Sequence, residues 1–541
     1  MKITFCGASK TVTGSNYLIE AEDKKLLLDC GMFQGSAREE QMNFESFIYN
    51  PKDIDYLILS HAHIDHSGRI PKLVKEGFNG KIYTTHATYD LCEIMLMDSA
   101  NIGMQDAEWE NRKRVRKGLT PIEPLYNTND VKESLKLFKP VYYNQEIKID
   151  DTFSFRLQDA GHILGSAIVE LFINEEGKTT KLVFSGDLGM PERPILTDPG
   201  FIEDADYLII ESTYGDRDHP TYTDSTKSLI KIIDDTSQKG GTVVIPSFAV
   251  GRTQDLIYQL NSYYDGEGLE EYKKVPIYID SPMAVSTTKV FEKNSNLFDE
   301  DAKNLILSGD NPFDFENIFY VRDVEESKRL NAVKYPKVII SASGMATAGR
   351  VRHHLKHSLW DPKNSVIIVG YQAEGSTGRK LVEGAKKVSL LGEEIKVEAN
   401  IYSLQGFSAH ADQSMLLNWI GHFKKFPKKI FLVHGEEKAI TALKSEIENK
   451  WQANVHVPDL GDSVELYAAD TKFNDSPVKE YEQRHEELLQ LTERVEGLLK
   501  ETNLDKDIYD KKFVKNNYDD LKDTLLNLEK EIMDYKVIVG K

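Results

Sequence analysis

The stretch that decides the fold runs from Tyr56 to Phe78 and reads YLILS-HAHIDH-SGRIPKLVKEGF. The apolar run YLILS predicts a buried strand and GRIPKLVKEGF predicts a helix, so HAHIDH forms the loop at the carboxyl end of the strand. His61, His63, Asp65 and His66 are four potential metal ligands in six residues, and they cannot all point at one ion. A tight loop can divide them between two adjacent ions. The stretch therefore predicts a two-metal site.

Three further residues with ligand chemistry stand at predicted strand ends. His162 in DAGHILGSA follows FSFRLQ, Asp187 in FSGDLG follows KLVF, and His434 lies in KIFLVHGE. An aspartate is suited to bridging two cations, because each of its oxygens can bind one. We expect these residues to complete the two coordination shells.

The composition limits the classes of function. The chain has 541 residues and a formal net charge of −20, which opposes nonspecific wrapping of nucleic acid but leaves room for a local basic groove. The densest basic run, residues 112–117, indicates a solvated helix face, with an RNA contact as the alternative.

The same composition bears on location. No stretch approaches the roughly 20 consecutive apolar residues that a bilayer crossing needs, so a membrane protein is not expected. The opening MKITFCGAS has no feature of a secretory signal, and the three cysteines have no CxxC spacing. These features predict a soluble protein of a reducing compartment, with the cytoplasm as the default.

Changes in the pattern of apolar and polar residues along the chain predict four segments. Residues 1–211 are rich in short strands, and residues 212–395 alternate apolar strands with helices, which predicts a parallel sheet covered on both faces. Strand character returns in 396–474, so the first domain is expected to resume there, with the second inserted into it. Residues 475–541 read as helical, with heptad-spaced leucines that fit either a dimerisation device or a hairpin packed on its own domain.

These motifs resemble a known family. HAHIDH, AGHILG and SGDLG reproduce, in order, the signature of the metallo-β-lactamase fold, and ESTYG, FSAHAD and LVHGE resemble its β-CASP branch. Within that branch, residues 1 to about 470 look like the bacterial ribonucleases related to the cleavage and polyadenylation specificity factor, more than like RNase J. The resemblance implies an α/β fold: a metallo-β-lactamase αββα sandwich with an inserted β-CASP α/β domain and a C-terminal helical extension.

The resemblance also implies roles for individual residues. One zinc ion would be held by His61, His63, His162 and Asp187, and a second by Asp65, His66, Asp187 and His434, with Asp65 also counted among the catalytic residues. Asp29 in LLLDCG would support the shell by fixing a histidine tautomer. Glu211 and His410 would form a pair, in which the carboxylate raises the pKa of the imidazole and the imidazole protonates the leaving oxygen.

The implied reaction is hydrolysis of a phosphodiester. Two zinc ions polarise the phosphate and lower the pKa of a bridging water, so that hydroxide is available for in-line attack. The expected protein is a dinuclear zinc ribonuclease acting on single-stranded RNA, endonucleolytic, with 5′-exonucleolytic action as a further option, and a homodimer is an additional expectation.

Two loops are candidates for holding the substrate's flanking phosphates. Ser247 and Arg252 lie in SFAVGR, and Ser343 and Gly344 lie in ASGMA. Backbone amides and a bidentate guanidinium suit phosphate, although ordinary turns of a doubly wound sheet explain the same residues.

Two other functions remain open. A small-ester or thioester hydrolase needs only the metal loop, and the inserted domain with Glu211 and His410 counts against it. A noncatalytic RNA-processing subunit is disfavoured because every expected ligand is present.

Overall fold

The computed structural model describes residues 1–264 and 275–467. The strands are β1 (Lys2–Phe5), β2 (Tyr17–Ala21), β3 (Lys24–Leu28), β4 (Tyr56–Ile58), β5 (Lys81–Thr85), β6 (Phe138–Val141), β7 (Glu146–Lys148), β8 (Phe153–Asp159), β9 (Ala167–Glu175), β10 (Lys178–Phe184), β11 (Tyr207–Ile210), β12 (Thr242–Pro246), β13 (Ile277–Ile279), β14 (Ile318–Tyr320), β15 (Lys337–Ser341), β16 (Ser365–Ile368), β17 (Lys387–Leu390), β18 (Glu393–Lys396), β19 (Asn400–Ser403), β20 (Lys429–Leu432), β21 (Val455–His456) and β22 (Ser463–Glu465). The helices are α1 (Ala37–Met42), α2 (Ile64–Ser67), α3 (Ile70–Lys75), α4 (His86–Arg116), α5 (Thr128–Leu135), α6 (Tyr222–Gln238), α7 (Arg252–Tyr264), α8 (Pro282–Lys293), α9 (Glu300–Leu307), α10 (Val324–Ala332), α11 (Val351–Ser358), α12 (Thr377–Val382), α13 (Gln413–Gly421) and α14 (Glu437–Trp451). The helical extension predicted for residues 475–541 lies outside the described residues.

Two seven-stranded sheets form a sandwich. Their orders are β22-β1-β2-β3-β4-β5-β6 and β21-β20-β11-β10-β9-β8-β7. Their inner faces share one apolar core, in which the rings of Tyr17 and Phe184 lie 5.3 Å apart. Apolar residues of α3, α4 and α5 pack on the outer face of the first sheet, and those of α13 and α14 pack on the second. This arrangement confirms the predicted αββα sandwich.

The inserted domain is built on a third sheet, of order β14-β13-β15-β12-β16-β19. Every pairing in this sheet is parallel, as the alternation of apolar strands and helices predicts. The sheet extends past residue 395, where the sequence suggested that the insertion ends, because β19 pairs with β16. The pattern of a short apolar strand does not reveal which of two sheets it will join.

After the insertion, the chain returns to both sheets of the sandwich. Strand β20 enters the second sheet beside β11, and β22 pairs antiparallel with β1 of the first. Within residues 1–264 and 275–467, no helix combines the length and apolarity needed to cross a membrane. The insertion thus leaves the sandwich after β11 and returns to it at β20, next to the strand from which it departed.

Candidate metal centre

Neighbouring parallel strands bring the predicted site residues to one edge of the sandwich. Strands β3 and β4 pair in parallel, as do β10, β11 and β20, so the loops that follow them lie together. The residues at these strand ends are Asp29, His61, Asp187, Glu211 and His434. His162 joins them from the loop between β8 and β9, and His410 from a segment that bridges to Gly189.

One group of potential ligands comprises His61, His63, His162 and Asp187, whose donor atoms all lie within 4.8 Å of one another. The Nδ1 atom of His63 lies 3.1 Å from His61 Nε2 and 3.2 Å from His162 Nε2. The Oδ2 atom of Asp187 lies 3.5 Å from His61 Nε2 and 3.7 Å from His162 Nε2. The structure thus brings this predicted set together.

A second group comprises Asp65, His66 and His434. The Nε2 atoms of His66 and His434 lie 3.2 Å apart, and His434 Nε2 lies 3.5 Å from Asp65 Oδ2. Asp187 faces this group as well, with Oδ2 at 3.2 Å from His66 Nε2 and Oδ1 at 3.5 Å from His434 Nδ1. Asp187 therefore stands between the two groups, the position that a bridging carboxylate requires.

The donor atoms of these groups fit a divalent cation. Both carboxylate oxygens of Asp187 are buried without a hydrogen-bond partner, as are His63 Nε2 and His162 Nδ1, and leaving buried polar atoms unpaired is costly. Burial, with the neighbouring histidines, lowers the pKa of His61 and His162 well below the usual value, and burial lowers that of His63 to about 4. These imidazoles are therefore neutral, which is the form that binds a metal.

Asp29 holds His66 in place. Its Oδ2 atom lies 2.6 Å from His66 Nδ1, and its carboxylate also accepts hydrogen bonds from the amide of Ser60 at 2.8 Å, the hydroxyl of Ser60 at 2.9 Å and the hydroxyl of Ser15 at 3.1 Å. Asp29 is completely buried and has a left-handed backbone with φ of 58°. A carboxylate that binds Nδ1 leaves the Nε2 lone pair of the histidine facing the second group.

Glu211 and His410 form a pair beside the two groups of potential ligands. Glu211 Oε2 lies 3.2 Å from His410 Nδ1, and the amide of Leu188 donates to Glu211 Oε1 at 2.6 Å. Burial lowers the pKa of His410, but the carboxylate of Glu211 outweighs this effect, so that the pKa lies above its usual value. The imidazole of His410 packs against that of His162, with ring centroids 4.5 Å apart. The predicted pair is thus close to the first ligand group.

The two predicted phosphate loops meet next to the ligand groups. The ring of Phe248 lies 6.3 Å from that of His63, and a Cβ on Gly344 would come within 2.7 Å of the Phe248 ring, so only glycine fits there. Ser247 is buried, and the hydroxyl of Ser343 accepts from the amide of Ala348 at 3.3 Å.

Arg252 is placed differently from the expectation of a cation facing substrate. Its side chain is 5% exposed and forms a 3.0 Å ion pair with Asp255, which also binds Arg193 at 2.5 Å. A phosphate could reach this guanidinium only if the buried side chain became more exposed. The phosphate-binding role of Arg252 stays a prediction.

Sequence reasoning missed several residues around the site. Ser60 contacts both Asp29 and His61, and Thr213 Oγ1 lies 3.2 Å from His434 Nδ1. Ser60 directly precedes HAHIDH and Thr213 lies within ESTYG, and these positions could have pointed to both residues. Glu211 also forms a third potential ligand group, with Asp187 and His434, which the sequence did not suggest.

Comparison with known proteins accounts for all three parts of the fold. Residues 10–238 match the model of the metallo-beta-lactamase superfamily, residues 253–381 that of the Beta-Casp domain, and residues 394–458 that of the Zn-dependent metallo-hydrolase RNA specificity domain. Ribonuclease TTHA0252 of Thermus thermophilus is 39% identical over 82% of this chain and 95% of that protein. The chain belongs to the β-CASP branch of the metallo-β-lactamase superfamily.

Archaeal members of the β-CASP branch are also similar to this chain. The transcription termination factor FttA of Methanocaldococcus jannaschii is 31% identical over 86% of this chain and 72% of that protein. FttA of Pyrococcus horikoshii is 31% identical over 86% of this chain and 71% of that protein. Membership of the metallo-β-lactamase superfamily implies a divalent metal, which agrees with the donor sets described above.

Proposed function

We propose that this protein is a zinc-dependent ribonuclease that hydrolyses phosphodiester bonds within single-stranded RNA. Two zinc ions are its proposed cofactors. His61, His63, His162 and Asp187 would hold one, and Asp65, His66, Asp187 and His434 the other. The observation that carries the proposal is the convergence of these seven side chains beside the pair of Glu211 and His410. The ribonuclease TTHA0252 and the RNA specificity domain support RNA as the substrate class.

Bound zinc ions would supply Lewis-acid polarisation of the phosphate and activation of a water nucleophile. The chain's own residues then have separate tasks. Asp29 fixes the Nε2 lone pair of His66 towards its ligand group, and Asp187 lies between the two groups, where its carboxylate is available to both. With Nδ1 facing Glu211, His410 has Nε2 as the atom that would donate a proton to the leaving oxygen.

The burial of most of the proposed ligands supports a hydrolytic site to which bulk water has limited access. His61, His66, His162, Asp187 and His434 are each no more than 3% exposed, whereas the side chain of His410 is 18% exposed. The side chain of Asp65 is 21% exposed. The accessible part of the site therefore includes His410 and Asp65, and an RNA strand would meet these two side chains before the buried ligands.

The test uses end-labelled RNA and metal analysis on the full chain. Zinc-loaded protein should cut single-stranded RNA internally, should act more slowly on duplex RNA and single-stranded DNA, and should carry close to two zinc equivalents. Mononucleotide products from the 5′ end would assign 5′-exonuclease action instead. His162→Ala should lose both zinc and cleavage, whereas His353→Ala, which alters an exposed histidine of α11, should retain both. Unchanged cleavage by metal-free protein would refute the proposal.

A further inference from the structure

A cavity of about 450 Å³ adjoins the metal centre. Thr213 and Arg217, which follow β11, line it together with Glu436 and Lys438 at the start of α14. Tyr371 and Arg379 of the inserted domain complete the lining. The hydroxyl of Thr213 lies 3.2 Å from His434 Nδ1, so one side chain separates the cavity from a proposed metal ligand. The volume falls in the usual range for binding one small organic group.

The cations around the cavity are already paired with carboxylates. Asp216 binds Arg217 through Oδ1 and Lys438 through Oδ2, both at 2.8 Å, and Glu383 binds Arg379 at 2.6 Å. A pocket for a lone phosphate requires cations that are available to the anion. The paired rim favours a neutral, flat group with a polar edge.

Arg217 offers a surface on which such a group can stack. Its guanidinium lies 4.8 Å from the ring centroid of Tyr214, which is completely buried, while the Arg217 side chain is 48% exposed. The ion pair with Asp216 fixes the orientation of the guanidinium over this ring. Unpaired RNA bases stack on arginine planes of this kind as well as on aromatic rings.

Tyr371 and Glu436 supply the lining of the cavity with a polar edge. The hydroxyl of Tyr371 donates to Glu436 Oε1, and the ring of Tyr371 meets that of Tyr214 edge to face at 6.0 Å. The carboxylate of Glu436 therefore has a defined orientation, and it can accept hydrogen bonds from a base edge.

We infer that this cavity holds one unpaired nucleobase of the RNA strand, stacked on the Arg217 guanidinium with its polar edge towards Glu436. The inference rests on the proposed ribonuclease function and adds a positioning subsite to it. The adjoining phosphodiester then lies at the metal centre, because Thr213 is shared by both. The subsite recognises a base and not the sugar-phosphate backbone, so its contribution disappears when one particular base is removed.

The experiment compares single-stranded RNAs of one sequence that carry an abasic nucleotide at successive positions around the cut. With wild-type protein, kcat/KM should fall about tenfold or more at one position, the usual effect of losing one stacked base. Arg217→Ala should lose about as much on intact RNA and should show no further loss with any abasic RNA. Arg217→Lys should resemble Arg217→Ala, because lysine keeps the charge but has no planar group. Arg329→Ala, at an exposed position on α10, is the matched control and should behave as wild type.

Binding provides a second readout, measured by fluorescence anisotropy in the His410→Ala background. Intact and abasic RNA should differ in Kd with Arg217 present and should be equal in Arg217→Ala. The base subsite is overturned, with ribonuclease activity still in place, if wild-type protein has the same kcat/KM for every position of the abasic nucleotide. Full activity of Arg217→Lys overturns it as well. Failure of zinc-loaded wild-type protein to cut any RNA refutes the proposed function itself.

Discussion

Replacing Asp29 with asparagine should weaken one of the two proposed zinc sites. Asparagine tolerates the left-handed backbone at this position, where φ is 58°, so the substitution mainly removes the charge and one acceptor oxygen. The amide oxygen can still accept from the amide of Ser60, now 2.8 Å from Oδ1. The amide NH₂ would then face His66 Nδ1 and donate to it. His66 would be forced to carry its proton on Nε2, the atom that lies 3.2 Å from both Asp187 and His434.

The magnitude follows from this change of tautomer. Loss of a carboxylate behind a metal-bound histidine typically costs about 10- to 100-fold in metal affinity, which corresponds to about 1.4–2.7 kcal/mol. The effect should be larger for the group of Asp65, His66 and His434, because Asp29 contacts His66 directly and reaches His61 only through the hydroxyl of Ser60. Zinc titration in a metal buffer should therefore show one site weakened clearly more than the other.

Asp280→Asn is the matched control. Asp280 is also completely buried, and its Oδ2 lies 2.6 Å from His354 Nε2, the same distance as between Asp29 and His66, but in the inserted domain. Both variants should unfold at lower denaturant concentration, and only Asp29→Asn should change zinc affinity. Equal zinc affinities for wild type and Asp29→Asn, within about threefold, would refute the tautomer argument.

Four further outcomes are expected. His410→Ala should keep both zinc ions and RNA affinity while cleavage falls about 10²- to 10⁴-fold, and zinc loss measured by plasma emission would instead make His410 a ligand. In Glu211→Gln, the decrease of kcat at high pH should begin at a lower pH, because the raised pKa of His410 depends on this carboxylate. An unchanged pH profile would show that Glu211 does not control the protonation of His410. Burial raises the pKa of Asp159 from 3.8 to about 6, so the folded state binds the extra proton and the free energy of unfolding should fall as pH rises from 4 to 6. Asp159→Asn should remove up to about 3 kcal/mol of this dependence in denaturant titrations of chelator-treated protein, and an unchanged slope would contradict it. Deleting residues 476–541 should lower the oligomeric state seen by light scattering, since the heptad-spaced leucines predict self-association, and an unchanged mass would assign them to intramolecular packing.

The convergence of the proposed metal ligands was predictable because local chain geometry decides most of their positions. His61, His63, Asp65 and His66 share one short loop, so their spacing in sequence already restricts their spacing in the fold. Asp187 and His434 follow apolar strands, and parallel strands of one sheet end at a common edge. The αββα sandwich was implied by the family resemblance of the motifs, and the parallel sheet of the insertion followed from the alternation of strands and helices.

The environment of Arg252 could not be predicted, because its burial depends on contacts between distant segments. Asp255 forms ion pairs both with Arg252 and with Arg193, which lies 62 positions earlier in the chain. The extent of the inserted sheet had the same cause: β19 joins β16 through hydrogen bonds that no local pattern encodes. The roles of Thr213 and Ser60 could not be predicted, because hydroxyl residues are common in loops. Only the side chains that they contact in the folded protein distinguish them.

The separation of the ligands along the chain has a consequence for protein synthesis. His66 and His434 are 368 positions apart, and the pair of Glu211 and His410 also spans the insertion. At a translation rate of about 5–20 residues per second, about 20–70 s pass between the synthesis of His66 and that of His434. During this interval the ribosome-bound chain lacks a ligand of the second group. A chain synthesised in this order gains its complete set of potential ligands only after most of its message has been translated.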